Sequence, residues 1–275
     1  MTPRWPALII GAAIALHAPF ALAQTTPPTK PTPIIEAREY SGPIPQNSIS
    51  LRVGMFGGAE NQEMIEFLDG RVRPPFQVSY EDFSTALAID VGYIHKPHPR
   101  FGLRVNGSAS FLEYTSTGDF VPQTGDSLLP QLQYDRKLEV DLFVLEGSGI
   151  YFFSDASLQE FQSYLGGGFS LGIPHEVFTE QRTDVETGAA FTDEIPGRPA
   201  EASEWSAHAG VHAVGGLLYY FTPRWAVSTE ARVQFMEGKF GKLQAYDPES
   251  GQYENVNFVI DYAGFYLSLG ATYGF

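Results

Sequence analysis

The chain has 275 residues, no cysteine and a formal net charge of −15 at pH 7. The absence of cysteine excludes disulfides, thiol catalysis, thiolate metal sites and a lipoprotein anchor. The acidic balance argues against a nucleic-acid partner, which would require a basic face. The 28 glycines and the aromatic content of 14% suit a barrel in which every second residue meets lipid.

The N-terminus predicts export. Arg4 precedes an apolar run over residues 7–23 that ends in Ala-Leu-Ala, which is typical of a secretory signal peptide cleaved after about Ala23. Pro19 interrupts the run, so it is a poor permanent transmembrane helix. No other stretch resembles a continuous apolar helix of ~20 residues, so a mature chain in a membrane must form a closed barrel.

Residues 24–47 are rich in proline and threonine and predict an extended periplasmic leader without a core of its own. Two interpretations stay open for this leader. It is a disordered approach to the first strand, or it contacts peptidoglycan or a partner protein.

Residues 48–275 alternate between apolar and polar residues, which predicts β-strands. Three connections between them are tight and four are long, as in an even-stranded outer-membrane barrel with short periplasmic turns and long extracellular loops. The prediction is all-β, an eight-stranded antiparallel transmembrane β-barrel. Its segments are 48–59, 83–94, 101–115, 136–152, 160–173, 204–222, 225–240 and 256–275.

Aromatic residues recur at a spacing that fits a bilayer. A tilted strand crosses the hydrocarbon in ~9–11 residues, and barrels carry aromatic residues at both interfaces. Four same-face pairs lie ten residues apart and predict two aromatic girdles: Phe83 with Tyr93, Phe101 with Phe111, Trp225 with Phe235, and Phe265 with Phe275.

The opposite faces of the strands predict a polar lumen. Arg52, Asp90 and Arg104 lie at similar depth on three neighbouring strands, so we expect them to cluster. Side chains can fill an eight-stranded barrel, and buried charges persist when paired, so an ion-paired plug is favoured over a small gated pore. The full predicted set is Arg52, Asp90, Arg104, Glu139, Asp141, Glu230 and Arg232, with His208 and His212 as polar lumen residues.

The fourth strand breaks this pattern. An apolar face from Leu138 to Val144 is assigned to lipid, and a regular strand would carry Glu146 onto the same face. We therefore expect a β-bulge near Phe143 or Val144 that returns Glu146 to the lumen. The facing of Glu146 stays open.

Strand six raises the question of catalysis, because Glu204, Ser206, His208 and His212 share one face. Histidines four residues apart on a strand are ~13 Å apart, too far to share a metal. The sequence predicts no catalytic residue, metal or cofactor. The long loop 174–203 is acidic, and we expect its carboxylates to be solvated or to meet lipopolysaccharide through divalent cations.

Several segments resemble the OmpA-type and opacity-type small outer-membrane barrels. They are SYLGGGFSLG, WSAHAGVHAVGGLLYYFTPRWAVSTEARVQF with its Glu230-Ala231-Arg232 element, and the terminal YLSLGATYGF. The resemblance implies a bacterial outer-membrane location, contact with outer-membrane lipid and lipopolysaccharide, and recognition of the strand ending at Phe275 by the barrel assembly machinery. An edge strand of a soluble sandwich is the alternative for that last segment.

The motifs of the resemblance specify a barrel and not an activity. We expect a structural or surface-interaction role through the long acidic loops, with a surface ligand that the sequence does not identify. A passive channel for small solutes is the first alternative, and a lipid-modifying outer-membrane hydrolase is the second.

Overall fold

The computed structural model describes residues 44–59, 79–80, 85–120, 132–156, 160–192, 200–247 and 252–275. These residues belong to one compact unit, Tyr40–Phe275. The predicted signal peptide and residues 24–43 of the predicted leader lie outside the described residues. No helix in the described part of the chain is long and apolar enough to cross a membrane.

The described chain is all-β, and its strands form one antiparallel ring. β7 and β8 together form one barrel strand, as do β10 and β11, so the ring has eight strands, and the short β2 pairs with β4. This confirms the predicted fold class. The elements are β1 (Asn47–Gly57), β2 (Ser79–Tyr80), β3 (Ala86–His98), β4 (Phe101–Phe120), β5 (Leu132–Phe152), β6 (Phe161–Asp184), β7 (Glu201–Trp205), β8 (His208–Tyr220), β9 (Trp225–Asp247), β10 (Gln252–Asp261) and β11 (Gly264–Gly274).

The last strand closes the barrel on the first. β11 pairs with β1 over ten residue pairs, from Ser48↔Gly274 to Gly57↔Phe265. Side chains alternate across each strand, so one face of the ring points outward and the other fills the bore. The outward face carries an apolar band whose members are 41–58% exposed: Leu51, Val53, Leu87, Ile89, Val91, Leu103, Val105, Leu267 and Leu269. Such a band is typical of a barrel that spans a membrane.

Aromatic residues flank this band on the outer surface. The exposed members of the predicted girdles are Tyr93, Phe101, Trp225 and Phe275 at one end of the barrel, and Phe111, Phe235 and Phe265 at the other. Phe83 lies outside the described residues. A further pair consists of Phe143 on β5 and Phe153 just after its end, which are also exposed and ten residues apart.

The strands continue well past the outer girdle. β4 and β5 stay paired over 20 consecutive residues, and β6 runs to Asp184 and β9 to Asp247. Parts of the predicted loops 116–135, 174–203 and 241–255 are therefore strand. The backbone hydrogen bonds of the antiparallel ladder extend the barrel wall beyond the membrane-spanning segments.

The prediction of which β5 side chains point outward is wrong. Both neighbours pair with β5 in unbroken register, so the described strand contains no bulge. The face from Leu138 to Val144 points into the barrel, and Glu146 follows it inward. Glu139 and Asp141, predicted in the lumen, point outward instead. Glu139 lies past the outer girdle and Asp141 lies level with Phe111. Water surrounds the wall beyond this point and apolar residues belong inside, so the polarity of the two faces reverses relative to the membrane segment.

Candidate functional site

Six charged side chains lie together inside the membrane-spanning part of the barrel, each only 1–2% exposed. Three are arginines and three are acids, so their formal charges cancel. They come from β1, β3, β4, β5 and β9, where a period of two directs them all to the bore. We call this set the charged layer: Arg52, Asp90, Arg104, Glu146, Glu230 and Arg232.

Arg104 contacts two acids of the charged layer. Its Nη2 lies 2.5 Å from Glu230 Oε1, and its Nη1 lies 3.1 Å from Glu146 Oε2. β4 and β9 are four positions apart in the eight-stranded ring in either direction, so they face each other across the bore. The phenol of Tyr164 on β6 donates to the other Glu230 oxygen at 2.7 Å.

Arg232 contacts Glu146 as well, together with Asp90, the third acid of the charged layer. Its Nη1 donates to Glu146 Oε2 at 2.8 Å and to Asp90 Oδ1 at 3.4 Å. Its guanidinium carbon lies 3.7 Å from the ring centroid of Tyr266, a cation–π contact. One arginine therefore joins three strands and an aromatic ring at one depth of the barrel.

Arg52 completes the network through Asn106. Arg52 Nη2 donates to Asn106 Oδ1 at 2.8 Å and lies 3.4 Å from Glu230 Oε1. The Asn106 amide donates in turn to Asp90 Oδ1 at 3.1 Å. Arg52 and Asp90 are direct cross-strand partners, as expected from their depth. Their charges are nevertheless bridged through Asn106 and satisfied across the bore.

The two predicted lumen histidines also face inward. His212 is buried between two serines, with Nε2 2.7 Å from Ser148 Oγ and Nδ1 2.9 Å from Ser170 Oγ. Partly buried His208 lies nearer the outer end, with Nε2 2.7 Å from Ser206 Oγ. Both histidines act as hydrogen-bonding members of the polar interior. No metal-binding group of three or more His, Cys, Asp or Glu side chains occurs in the described ranges.

Apolar side chains close the bore on both sides of the charged layer. The outer apolar layer contains Phe56, Leu112, Leu138, Val140, Leu142, Val144, Phe178, Met236, Phe240, Ile260 and Tyr266. The inner apolar layer contains Ile94, Ile150, Phe152, Tyr164, Val214, Leu218, Tyr220 and Ala226. The charged layer thus lies between two apolar layers.

A pair of carboxylates lies above the outer girdle. Glu176 on β6 and Glu204 on β7 are direct cross-strand partners, and the Glu176 side chain is buried. Tyr262 donates a short hydrogen bond to Glu176 Oε1, whereas Oε2 has no partner among the described residues. The pKa of Glu176 is raised to about 7, chiefly by burial; the Tyr262 hydrogen bond lowers it, and the neighbouring Glu204 raises it. Glu176 was expected in a solvated loop, and the extended wall buries it.

No protein-family model and no curated protein matches the chain. Its structure is similar to outer membrane protein OprG from Pseudomonas aeruginosa, with 11% identity, 84% of this chain and 97% of that chain covered, and a TM-score of 0.46. It is also similar to the N-terminal β-barrel domain of Pseudomonas aeruginosa OprF, at 10% identity, 84% and 99% coverage and a TM-score of 0.37. It is similar as well to Neisserial surface protein A, with 12% identity, 84% of this chain and 97% of that chain covered, and a TM-score of 0.36.

Sequence reasoning missed several parts of this interior. It did not single out Asn106 or Tyr164, although Asn106 continues the inward face of Arg104 on β4. It also missed the two apolar layers, because apolar residues on a membrane strand were assigned to lipid. The alternation of β5, anchored on outward Phe143 and Phe153, would have found the outer apolar layer.

Proposed function

We propose that the chain is an outer-membrane β-barrel with a closed bore, which acts as a structural or surface-interaction protein through its extracellular wall. The observation that carries the closed bore is the ion pair between Arg104 and Glu230, which joins opposite strands across the interior. Removing one partner of a buried ion pair costs ~3–5 kcal/mol, so the network resists opening.

The outer-membrane location rests on the exposed apolar band and its aromatic girdles. The signal-peptide pattern before residue 24 agrees with export. In this proposal outer-membrane lipid and lipopolysaccharide surround the band, and the assembly machinery engages the terminal strand that ends at Phe275.

The interaction role rests on the rigidity of the wall above the membrane. From Phe111 to the end of β4 at Phe120 the strand rises ~30 Å along its length, at about 3.3 Å per residue. The outer apolar layer packs the inside of this wall. Its outside carries ion pairs, with Lys137 Nζ 2.6 Å from Glu139 and 3.2 Å from Glu113. A firm polar platform of this kind suits contact with a partner more than conduction.

The proposal assigns no catalytic step. Both ring nitrogens of His212 are engaged by serine hydroxyls, and the imidazole is buried between the apolar layers. His208 is engaged by Ser206. A nucleophile activated by His212 would need substrate access that the packed interior does not offer.

Conductance tests the closed bore. The refolded mature chain, residues 24–275, is inserted into planar bilayers beside a double variant, Arg104→Ala with Glu230→Ala, that removes the bridge across the bore. We expect no steady conductance from the wild type in 1 M KCl. A steady wild-type conductance at low applied voltage would establish the passive-channel alternative instead.

Deletion of a hairpin tip tests the interaction role. Replacing residues 186–199 with a Gly-Ser linker leaves β6 and β7 intact. Cells that display the wild type should bind purified lipopolysaccharide or host matrix proteins several-fold more than cells that display the deletion. Heat-modifiable gel migration of both proteins verifies that the barrel is folded. Equal binding would leave only the structural role.

A further inference from the structure

A cavity of about 310 Å³ lies at the inner end of the barrel, beside the start of β1. This is the end that carries Tyr93 and Phe275, which faces the periplasm under the proposed orientation. The cavity lies outside the charged layer and does not depend on whether the bore is closed. Its walls include Ile44, Pro45, Gln46, Lys96, Asp155 and Ala156.

Lys96 is the buried cation of this cavity, with only 6% of its surface exposed. Its ammonium lies 2.9 Å from Gln162 Oε1 and 3.4 Å from the Tyr220 hydroxyl, both uncharged groups. It also lies 4.4 Å from the ring centroid of Phe152. An ammonium has three N–H donors, so these two acceptors leave one donor for a further acceptor.

No carboxylate in the described ranges forms an ion pair with Lys96. Asp155 lines the same cavity, but its carboxylate lies 3.5 Å from Arg100 Nε at the exposed rim. Burial without a counter-charge lowers the pKa of Lys96 to about 8. Buried charges in proteins are normally paired, so an ammonium without a counter-charge beside a cavity suits an anionic ligand.

We infer that this cavity binds a small organic carboxylate, whose anionic group contacts Lys96 and whose apolar part packs on Ile44, Pro45 and Ala156. The volume is at the small end of the range for ligand sites, ~300–1,000 Å³. One ammonium beside apolar walls suits a singly charged group with a short tail. Phosphate groups are typically held by arginine forks or several backbone N–H groups.

Calorimetric titration tests the site on the refolded mature chain, with butyrate as the probe and 1-butanol as its uncharged match. We expect saturable one-to-one binding of butyrate and none of butanol. Lys96→Met should weaken butyrate binding at least tenfold. The matched control is Lys239→Met, because Lys239 is an exposed lysine on the outward face of β9 at the other end of the barrel.

Protonation supplies a second readout. Only the ammonium form attracts the anion, so butyrate binding should be about tenfold weaker at pH 9 than at pH 7. Ala156→Leu should weaken binding by narrowing the cavity while Lys96 remains, which covers the case in which Lys96→Met does not refold. The inference would be overturned if the wild type did not bind butyrate, or if Lys96→Met and Ala156→Leu both bound butyrate as tightly as the wild type. Tighter binding of inorganic phosphate than of butyrate would also overturn it.

Discussion

Arg104 on β4 and Glu230 on β9 form an ion pair across the barrel bore, with Nη2 and Oε1 2.5 Å apart. The two strands are as far apart in the ring as the topology allows. A side-chain bridge between opposite walls fixes the bore diameter at this depth. It also makes the charged layer a single network, because Glu230 contacts Arg52 and Arg104 contacts Glu146.

The first prediction concerns this bridge. Arg104→Leu should destabilise the barrel by ~3–5 kcal/mol, because it leaves Glu230 and Glu146 buried with less compensation. The double variant Arg104→Leu with Glu230→Leu should lose less than the sum of the single variants, because their residues are coupled. Urea unfolding in lipid vesicles measures both effects. Lys137→Ala, at an exposed ion pair, is the control and should change stability by less than about 1 kcal/mol.

The sequence predicts which side chains of a strand point outward where the strand crosses the membrane. It does not predict this facing where the strand extends beyond the membrane. The outward face of a membrane strand must be apolar in lipid, and Phe101, Phe111 and Trp225 mark that face on their strands. On β5 the inward apolar residues Leu138 and Val140 lie past the girdle, where the same rule reverses. The identity of ion-pair partners was also beyond sequence reasoning, because Arg104 finds Glu230 from four strands away, a relation set by barrel closure and tilt.

The facing of β5 leads to the second prediction. The chain has no cysteine, so a single introduced thiol can be labelled without background. Glu139→Cys should react with a membrane-impermeant maleimide on intact cells, because residue 139 points outward above the girdle. Val140→Cys should be at least tenfold slower, because residue 140 is buried in the outer apolar layer. Equal labelling of both positions would contradict the unbroken register of β5.

The third prediction concerns pH. Burial raises the pKa of Glu176 from its ordinary 4.5 to about 7, so the folded protein binds this proton more tightly than the unfolded chain. The contribution of Glu176 to stability should therefore be fully present below pH 4.5 and be lost as pH rises through 7. The upper bound on this loss is about 3 kcal/mol, from 1.36 kcal/mol per pKa unit.

Glu176→Gln isolates this effect, because Gln mimics the protonated acid at every pH. The variant should gain stability relative to the wild type between pH 5 and pH 8.5, measured by urea unfolding. The groups that face Glu176 include Glu204 and Tyr262, and they remain in both proteins. Glu139→Gln changes an exposed carboxylate, so its stability should depend on pH in the same way as that of the wild type. A parallel curve for Glu176→Gln would mean that Glu176 stays ionised when folded.

The fourth prediction concerns the glycine run 166–168 on β6. A Cβ added at Gly168 would collide with the backbone carbonyl of Gly147 on the neighbouring strand, and no flexible side chain could move aside to relieve it. Gly107 on β4 is the matched control, because a Cβ added there meets nothing within 4 Å.

Gly168→Ala should therefore destabilise the barrel by ~1–3 kcal/mol, the usual cost of forced backbone shifts in a packed region. Gly107→Ala should be neutral or stabilise by up to ~1 kcal/mol, because alanine restricts the unfolded chain. Urea midpoints of the two refolded variants in the same vesicles give the comparison. If both substitutions have equal effects, the glycine at position 168 serves chain flexibility and not close contact between β5 and β6.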